Sequence, residues 1–124
     1  MPSEIAYFEK ERTPQGITHI ASVGKFGAKV VIIDDMLDTG GTLVSACEQL
    51  IDKGVREIYI MVTHGLFTGS QWKKLWVLRV KTIFCTDTVP LRKELEAEPI
   101  ETISATPLIQ SQLKEMNRDV RAIC

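Results

Sequence analysis

The stretch from Val30 to Leu43, VVIIDDMLDTGGTL, limits what this chain can fold into more than any other. Val30, Val31, Ile32 and Ile33 form an unbroken β-branched run without the alternation of a half-wet strand, which suits a central parallel strand covered on both faces. Asp34 and Asp35 stand at its carboxyl end, and Asp38, Thr39, Gly40, Gly41 and Thr42 continue the loop toward an amphipathic run. In open α/β sheets ligands bind at that end of the strands. Glycines let the backbone approach an anion closely. Free N–H groups and the positive pole of a helix start bind phosphate, and Thr39 and Thr42 add hydroxyl donors. Three aspartates would repel a bare phosphate unless they face the hydroxyls of a polyol or share a divalent cation, so a phosphorylated sugar fits better. Taken alone, Asp-Thr-Gly-Gly also reads as an ordinary βα connection with Thr42 as helix N-cap.

The remaining elements repeat the pattern. A helix is expected after the loop, with Leu43, Ala46, Cys47, Leu50 and Ile51 on one face and Gly54 closing its C-terminus. Strands are expected at Glu57–Val62 and Val80–Cys85, with Thr63, His64, Gly65 and then Thr86, Asp87, Thr88 at their carboxyl ends. Between them Gly69 and Ser70 open a short helix through Leu78, whose Trp72, Leu75 and Trp76 share a packing face. Leu91 to Pro99 reads as a loop or short helix and Ile100 to Ala105 as a last strand. Thr106 and Pro107 then start a helix with Leu108, Ile109, Leu113 and Met116 as its apolar face. Ahead of the central strand, Ile5–Phe8 and Thr18–Val23 read as two strands joined by a mobile polar loop, EKERTPQG. Alternating strands and helices imply one α/β domain, residues 1–124, with a mostly parallel sheet flanked by helices and right-handed crossovers.

Composition removes several classes of function. With 15 Lys+Arg against 16 Asp+Glu and a net charge of −1, no global field steers nucleic acid or an acidic membrane, so anion recognition has to be local. No apolar run approaches the ~20 residues that span a bilayer, and the N-terminus lacks a signal-peptide pattern, which makes the cytoplasm the expected location. Cys47, Cys85 and Cys124 are odd in number and widely spaced; they read as reduced thiols with no zinc spacing, and no dedicated metal ligands are assigned.

The long pattern of strand, paired acids and Asp-Thr-Gly-Gly-Thr resembles the phosphoribosyl-pyrophosphate motif of type I phosphoribosyltransferases and of ribose-phosphate pyrophosphokinase. Thr63 to Gly69, THGLFTG, and Thr86 to Pro90, TDTVP, resemble the following strand ends of the pyrophosphokinases, and Lys10 and Arg12 fall where that family carries a catalytic flexible loop with a Lys-x-Arg pair. Without that resemblance the EKER run is solvated surface. The resemblance implies Mg-dependent transfer of pyrophosphate from ATP to ribose 5-phosphate, giving phosphoribosyl pyrophosphate and AMP. Asp34 and Asp35 would hold the ribose hydroxyls, Asp38, Thr39, Gly40, Gly41 and Thr42 the 5-phosphate, while Lys10 and Arg12 would stabilise the transferring group. His64 reads as a hydrogen-bonded structural residue in the site wall, and His19 has no assigned place.

The resemblance covers the C-terminal part of a pyrophosphokinase only. The fold is therefore expected to be type I phosphoribosyltransferase-like but incomplete at its N-terminus. An amino-terminal domain that supplies most of the ATP site is expected to be absent, together with a Pro-Asp-x-Gly-Gly segment carrying pyrophosphate and magnesium contacts. Three readings follow: the sugar-phosphate half of an enzyme that is inactive as an isolated chain, a non-catalytic ribose-phosphate-binding or assembly module, or a phosphoribosyltransferase. The magnesium site would be completed by the absent part, ATP would bind only with it, and an exposed sheet edge would favour a homo-oligomer or a partner chain.

Overall fold

The computed structural model describes residues 27–116 in full, and residues 7–13 and 16–23 as backbone. Two antiparallel strands, β1 (Tyr7–Thr13) and β2 (Gly16–Val23), form a ribbon of their own. A second, four-stranded parallel sheet contains β3 (Lys29–Leu37), β4 (Glu57–Gly65), β5 (Val80–Thr86) and β6 (Ile100–Ile103), in that spatial order. Helix α1 (Gly41–Asp52) crosses from β3 to β4, a 3₁₀-helix (Gln71–Val77) from β4 to β5, and a single 3₁₀ turn (Lys93–Leu95) from β5 to β6; α2 (Thr106–Met116) follows.

Each element follows from its residues. In β4, Ile58, Ile60 and Val62 are buried on alternate positions, and β3 pairs Val30 with Ile58 and Ile32 with Ile60, so one sheet face is continuously apolar. Against it pack Leu43, Val44, Cys47 and Leu50 of α1, together with Phe67, Trp72 and Leu75. Burial holds the Cys47 thiol up at about 12, with Glu48 adding to the effect, so this cysteine serves as a small core residue. The end of α1 is a Schellman motif: Gly54 N–H donates to the Ile51 carbonyl (3.0 Å), Val55 N–H to the Leu50 carbonyl (3.1 Å), and Gly54 takes φ +89. Val55 and Leu50 are both fully buried, the apolar contact that accompanies this cap.

The strand order never reverses. With right-handed crossovers, a parallel sheet that grows in one direction puts every connection on the same face. The opposite face therefore stays open among the described residues. There Val31 (52% exposed) and Ile33 (79%) of β3 lie beside Tyr59 and Met61 of β4.

The structure corrects three expectations. The Val30–Ile33 run is not a central strand covered on both faces: β3 is the edge of its sheet among the described residues, and the β-branched run reports strand propensity, not its number of neighbours. Glu9 to Arg12 do not lie in a loop, because β1 extends through Thr13 and only positions 14 and 15 separate it from β2. In a two-stranded ribbon the ladder needs only backbone groups, so charged residues are compatible with pairing. Finally, the apolar face of α2 finds little cover among the described residues, with Leu108, Ile109, Leu113 and Met116 between 48% and 75% exposed. The other elements lie where the sequence places them, β4 and β5 running slightly further into their polar ends.

Candidate functional site

The carboxyl ends of β3, β4 and β5 gather on one rim of the sheet. The unbroken segment from Asp34 to Leu43 lines a pocket of about 160 Å³. It brings together Asp34 and Asp35 from the last residues of β3, which runs on to Leu37; Asp38, Thr39 and Gly40 from the connection; and Gly41 and Thr42 from the start of α1. Asp35 N–H donates to Asp34 Oδ1 at 2.8 Å, which fixes the first carboxylate beside the strand end.

The helix begins two residues earlier than a Thr42 cap would require. Gly40 is the N-cap with φ +87, and its carbonyl accepts the first helical bond from Val44 N–H at 2.9 Å. No side chain caps this end and no acidic residue stands in the first turn. The N–H groups at the helix start are thus left to an incoming acceptor, with the positive end of the helix dipole behind them. Gly40 cannot be replaced without movement, since a Cβ there would sit 2.8 Å from Trp72 Cβ and 2.9 Å from Trp72 Cα.

Trp72 is the floor beneath the loop. It is 1% exposed, donates its indole N–H to the Gly69 carbonyl (3.0 Å), and meets Phe67 and Trp76 edge-on at 5.1 and 6.5 Å between ring centroids. The expectation that Trp72 and Trp76 pack, and do not offer a stacking platform, agrees with this placement.

A second device ties the loops together. Leu66 and Phe67 N–H both donate to the Leu37 carbonyl (2.8 and 3.1 Å), and Thr68 N–H donates to the Asp38 carbonyl (2.9 Å). Arg92 then donates from Nη1 to the Leu66 carbonyl (2.8 Å) and from Nη2 to the Phe67 carbonyl (2.7 Å), while its Nε bonds Glu94 (3.0 Å). The planar fork of a guanidinium suits two adjacent carbonyls. Phe67, fully buried, holds φ +51 within this clamp, a conformation that bulky residues adopt only when their surroundings enforce it. The sequence reading passed over Arg92, because nothing local marks an arginine in a polar connection as a partner of carbonyls some 25 positions away.

At the ends of β4 and β5, Thr86 Oγ1 donates to the Thr63 carbonyl (2.6 Å), and Thr88 Oγ1 lies 2.7 Å from His64 Nδ1 and 3.1 Å from the same carbonyl. If His64 Nδ1 carries the proton, every donor in this chain of bonds has an acceptor. His64 is accordingly a hydrogen-bonded rim residue, in line with the sequence reading. Asp87 accepts the Ala105 N–H (2.9 Å), and that bond, helped by Ser104, holds its carboxyl below the ordinary range.

Lys10 and Arg12 sit on β1, where Lys10 pairs with Ile20 and Arg12 with Ile17 across a register shift after Glu11. Their side chains lie outside the described residues, as does the side chain of His19 on β2.

Comparisons with known proteins point in one direction. Residues 4–120 match the family described as phosphoribosyl synthetase-associated domain. The chain is 37% identical over 114 residues to ribose-phosphate pyrophosphokinase 2 of Saccharomyces cerevisiae, covering 90% of this chain and 35% of that one. It is 35% identical over 106 residues to the ribose-phosphate pyrophosphokinase of Caldanaerobacter subterraneus subsp. tengcongensis, covering 84% and 34%. Its fold is similar to the crystal structure of phosphoribosylpyrophosphate synthetase from Mycobacterium smegmatis, with a TM-score of 0.72 and 25% identity over 90% of this chain and 36% of that one. The chain thus spans about a third of the length of these relatives.

Proposed function

Since this chain belongs to the ribose-phosphate pyrophosphokinase family, matching its phosphoribosyl synthetase-associated domain, we propose that it carries the family's sugar-phosphate site. Ribose 5-phosphate binds in the Asp34–Leu43 pocket. Its phosphate is held by the uncapped N–H groups at the start of α1 and by the Thr39 and Thr42 hydroxyls, and its ring hydroxyls by Asp34 and Asp35. The observation that carries this reading is the concave strand-to-helix segment itself, in which an uncapped helix start and three carboxylates share one pocket.

In the complete reaction the sugar's C1 hydroxyl takes pyrophosphate from ATP. Lys10 and Arg12 are proposed to stabilise the charge spread over the transferring group. Magnesium retains most of its waters and takes one or two carboxylates together with substrate phosphates. Asp34 and Asp35 fit as such a partial donor set, while no group of three or more His, Cys, Asp or Glu able to hold a metal is found among the described residues. The ion, when bound, neutralises polyphosphate charge. ATP contacts are assigned to sequence corresponding to the rest of the relatives' length, so the isolated chain binds the sugar phosphate without turning it over. No helix among the described residues is long and apolar enough to cross a membrane, and the proposed setting is the cytoplasm.

A second reading, a non-catalytic ribose-phosphate-binding or assembly module, draws on the position of the pocket beside β3, which is a sheet edge among the described residues. The test is a thermal-shift and calorimetric titration with ribose 5-phosphate, with and without magnesium, beside Asp34→Ala and Asp35→Ala. A ligand present at 100 times its Kd adds about 2.7 kcal/mol to stability. Saturable stabilisation lost in both variants supports the site, and AMP formation only after addition of an ATP-binding partner separates the enzyme reading from the module. A folded chain unmoved by the ligand at saturating concentration overturns the sugar-phosphate site in both readings and leaves only an assembly module.

A further inference from the structure

Two consecutive peptide groups join Arg92 to the pocket, although Arg92 does not line it. In the first, the Leu66 carbonyl accepts from Arg92 Nη1 (2.8 Å) while the Phe67 N–H donates to the Leu37 carbonyl (3.1 Å). In the second, the Phe67 carbonyl accepts from Nη2 (2.7 Å) while the Thr68 N–H donates to the Asp38 carbonyl (2.9 Å). A trans peptide sets its C=O and N–H on opposite sides, so the guanidinium holds one side of each plane, and Leu37 and Asp38 hold the other. Backbone direction alternates in an extended chain, which would turn these two carbonyls apart; the φ of +51 at Phe67 brings both to one planar fork. Glu94 takes the Nε–H (3.0 Å) and leaves the two η nitrogens for the carbonyls.

The same geometry continues one peptide further. With the Leu37 and Asp38 carbonyls turned to residues 66–68, the N–H groups of those peptide planes, which belong to Asp38 and Thr39, point the opposite way. Both residues line the pocket, and neither N–H meets an acceptor among the described residues. Each of the two lanes therefore runs from the guanidinium through two peptides to a terminal N–H, with the dipoles aligned head to tail and a cation at the tail. Hydrogen bonds in such a chain polarise one another and strengthen the last donor.

We propose that Arg92 is a positioning residue for the anion of this pocket: through two peptide relays it fixes the direction and raises the donor strength of the Asp38 and Thr39 N–H groups, which take the ligand's phosphate beside the start of α1. The proposal rests on the sugar-phosphate reading and adds to it the side chain that aims two backbone donors. The Arg92 side chain is 46% exposed, so its charge acts little through solvent and its influence follows the bonds.

Two measurements on the full chain test this. In the isotope-labelled protein without ligand, trans-hydrogen-bond NMR couplings should connect the Phe67 N–H to the Leu37 carbonyl and the Thr68 N–H to the Asp38 carbonyl. Arg92→Ala should weaken both and shift the Asp38 and Thr39 amide resonances. Gly54→Ala, which strains the backbone at the far end of α1, should leave them unchanged. In titrations with ribose 5-phosphate, Arg92→Ala should raise Kd about three- to tenfold, a part of what two charge-assisted bonds supply, and Gly54→Ala should not. Arg92→Lys keeps the charge without the fork and should recover the affinity only in part. Couplings indifferent to Arg92→Ala overturn the proposal whether or not a ligand binds. Undiminished affinity in Arg92→Ala, or full recovery in Arg92→Lys, overturns it while the sugar-phosphate site, checked by Asp34→Ala, stands. A wild-type chain that binds no ribose 5-phosphate refutes the sugar-phosphate reading and this proposal with it.

Discussion

Two glycines with the same backbone conformation give a direct measurement of how tightly Trp72 supports the phosphate loop. Gly40 has φ +87 and Gly54 φ +89, so an alanine at either suffers the left-handed penalty of roughly 1–2 kcal/mol. Their surroundings differ. A Cβ at Gly54 meets nothing within 4 Å, whereas one at Gly40 would stand 2.8 and 2.9 Å from Trp72 Cβ and Cα. Neither of those atoms can rotate away, so the backbone of the loop or of the 3₁₀-helix has to move, at a cost of about 1–3 kcal/mol for overpacking. Gly54→Ala should therefore lose about 1–2 kcal/mol and Gly40→Ala about 2–5 kcal/mol. At roughly 4 °C per kcal/mol for a chain of this size, the larger loss lowers Tm by about 8–20 °C. Urea denaturation followed by tryptophan fluorescence measures both variants, and an unchanged m-value certifies that the midpoint shift reports stability. Equal losses at the two positions would refute the argument, since they would mean that Trp72 yields at no cost and the loop is not braced from below.

Other expected outcomes test other parts of the rim. Arg92→Ala should cost about 1 kcal/mol, reduced from a buried charge-assisted value by its partial exposure, and should speed amide exchange at Leu66, Phe67 and Thr68; unchanged exchange there would deny the clamp. Asp87, whose carboxyl is held down by the Ala105 N–H, should protect that amide at neutral pH. Its folded pKa lies below the unfolded one, so the contribution is present above the ordinary carboxylate range and is lost as pH falls through the depressed value; NMR exchange at Ala105 against pH reads this, and Asp87→Ala should remove the dependence. Cys47, raised to about 12 by burial and Glu48, should resist a thiol reagent in the native Cys124→Ser chain and react fully in denaturant; rapid native labelling at Cys47 would contradict its packing.

Much of this architecture can be read locally. The phosphate loop announces itself because a strand end, acidic residues and two glycines need only their own order to make a concave turn. The helices at Gly41–Asp52 and Thr106–Met116 follow from apolar spacing and from end signals such as Gly54 and Thr106-Pro107. Lys10 and Arg12 show the limit of such reading: their mixed charge suggested a loop, yet an antiparallel ribbon needs only backbone pairing and β1 runs through them. Thr42 likewise looked like a helix cap, but the cap is Gly40, because the left-handed turn is fixed by Trp72 underneath it and not by a side-chain hydrogen bond.

The sequence by itself determined the order of strands and helices, the buried faces of α1 and β4, and the ten-residue run that lines the pocket, since periodicity and turn chemistry act over a few neighbouring residues. Tertiary structure alone decided that, among the described residues, β3 is an edge, Val31 and Ile33 face outward, Arg92 holds the Leu66–Phe67 carbonyls, and the apolar stripe of α2 stays largely exposed. The reason is physical: an apolar or charged side chain encodes an affinity for a kind of neighbour, while which neighbour it meets depends on the direction in which the sheet grows and on the face to which right-handed crossovers send each connection.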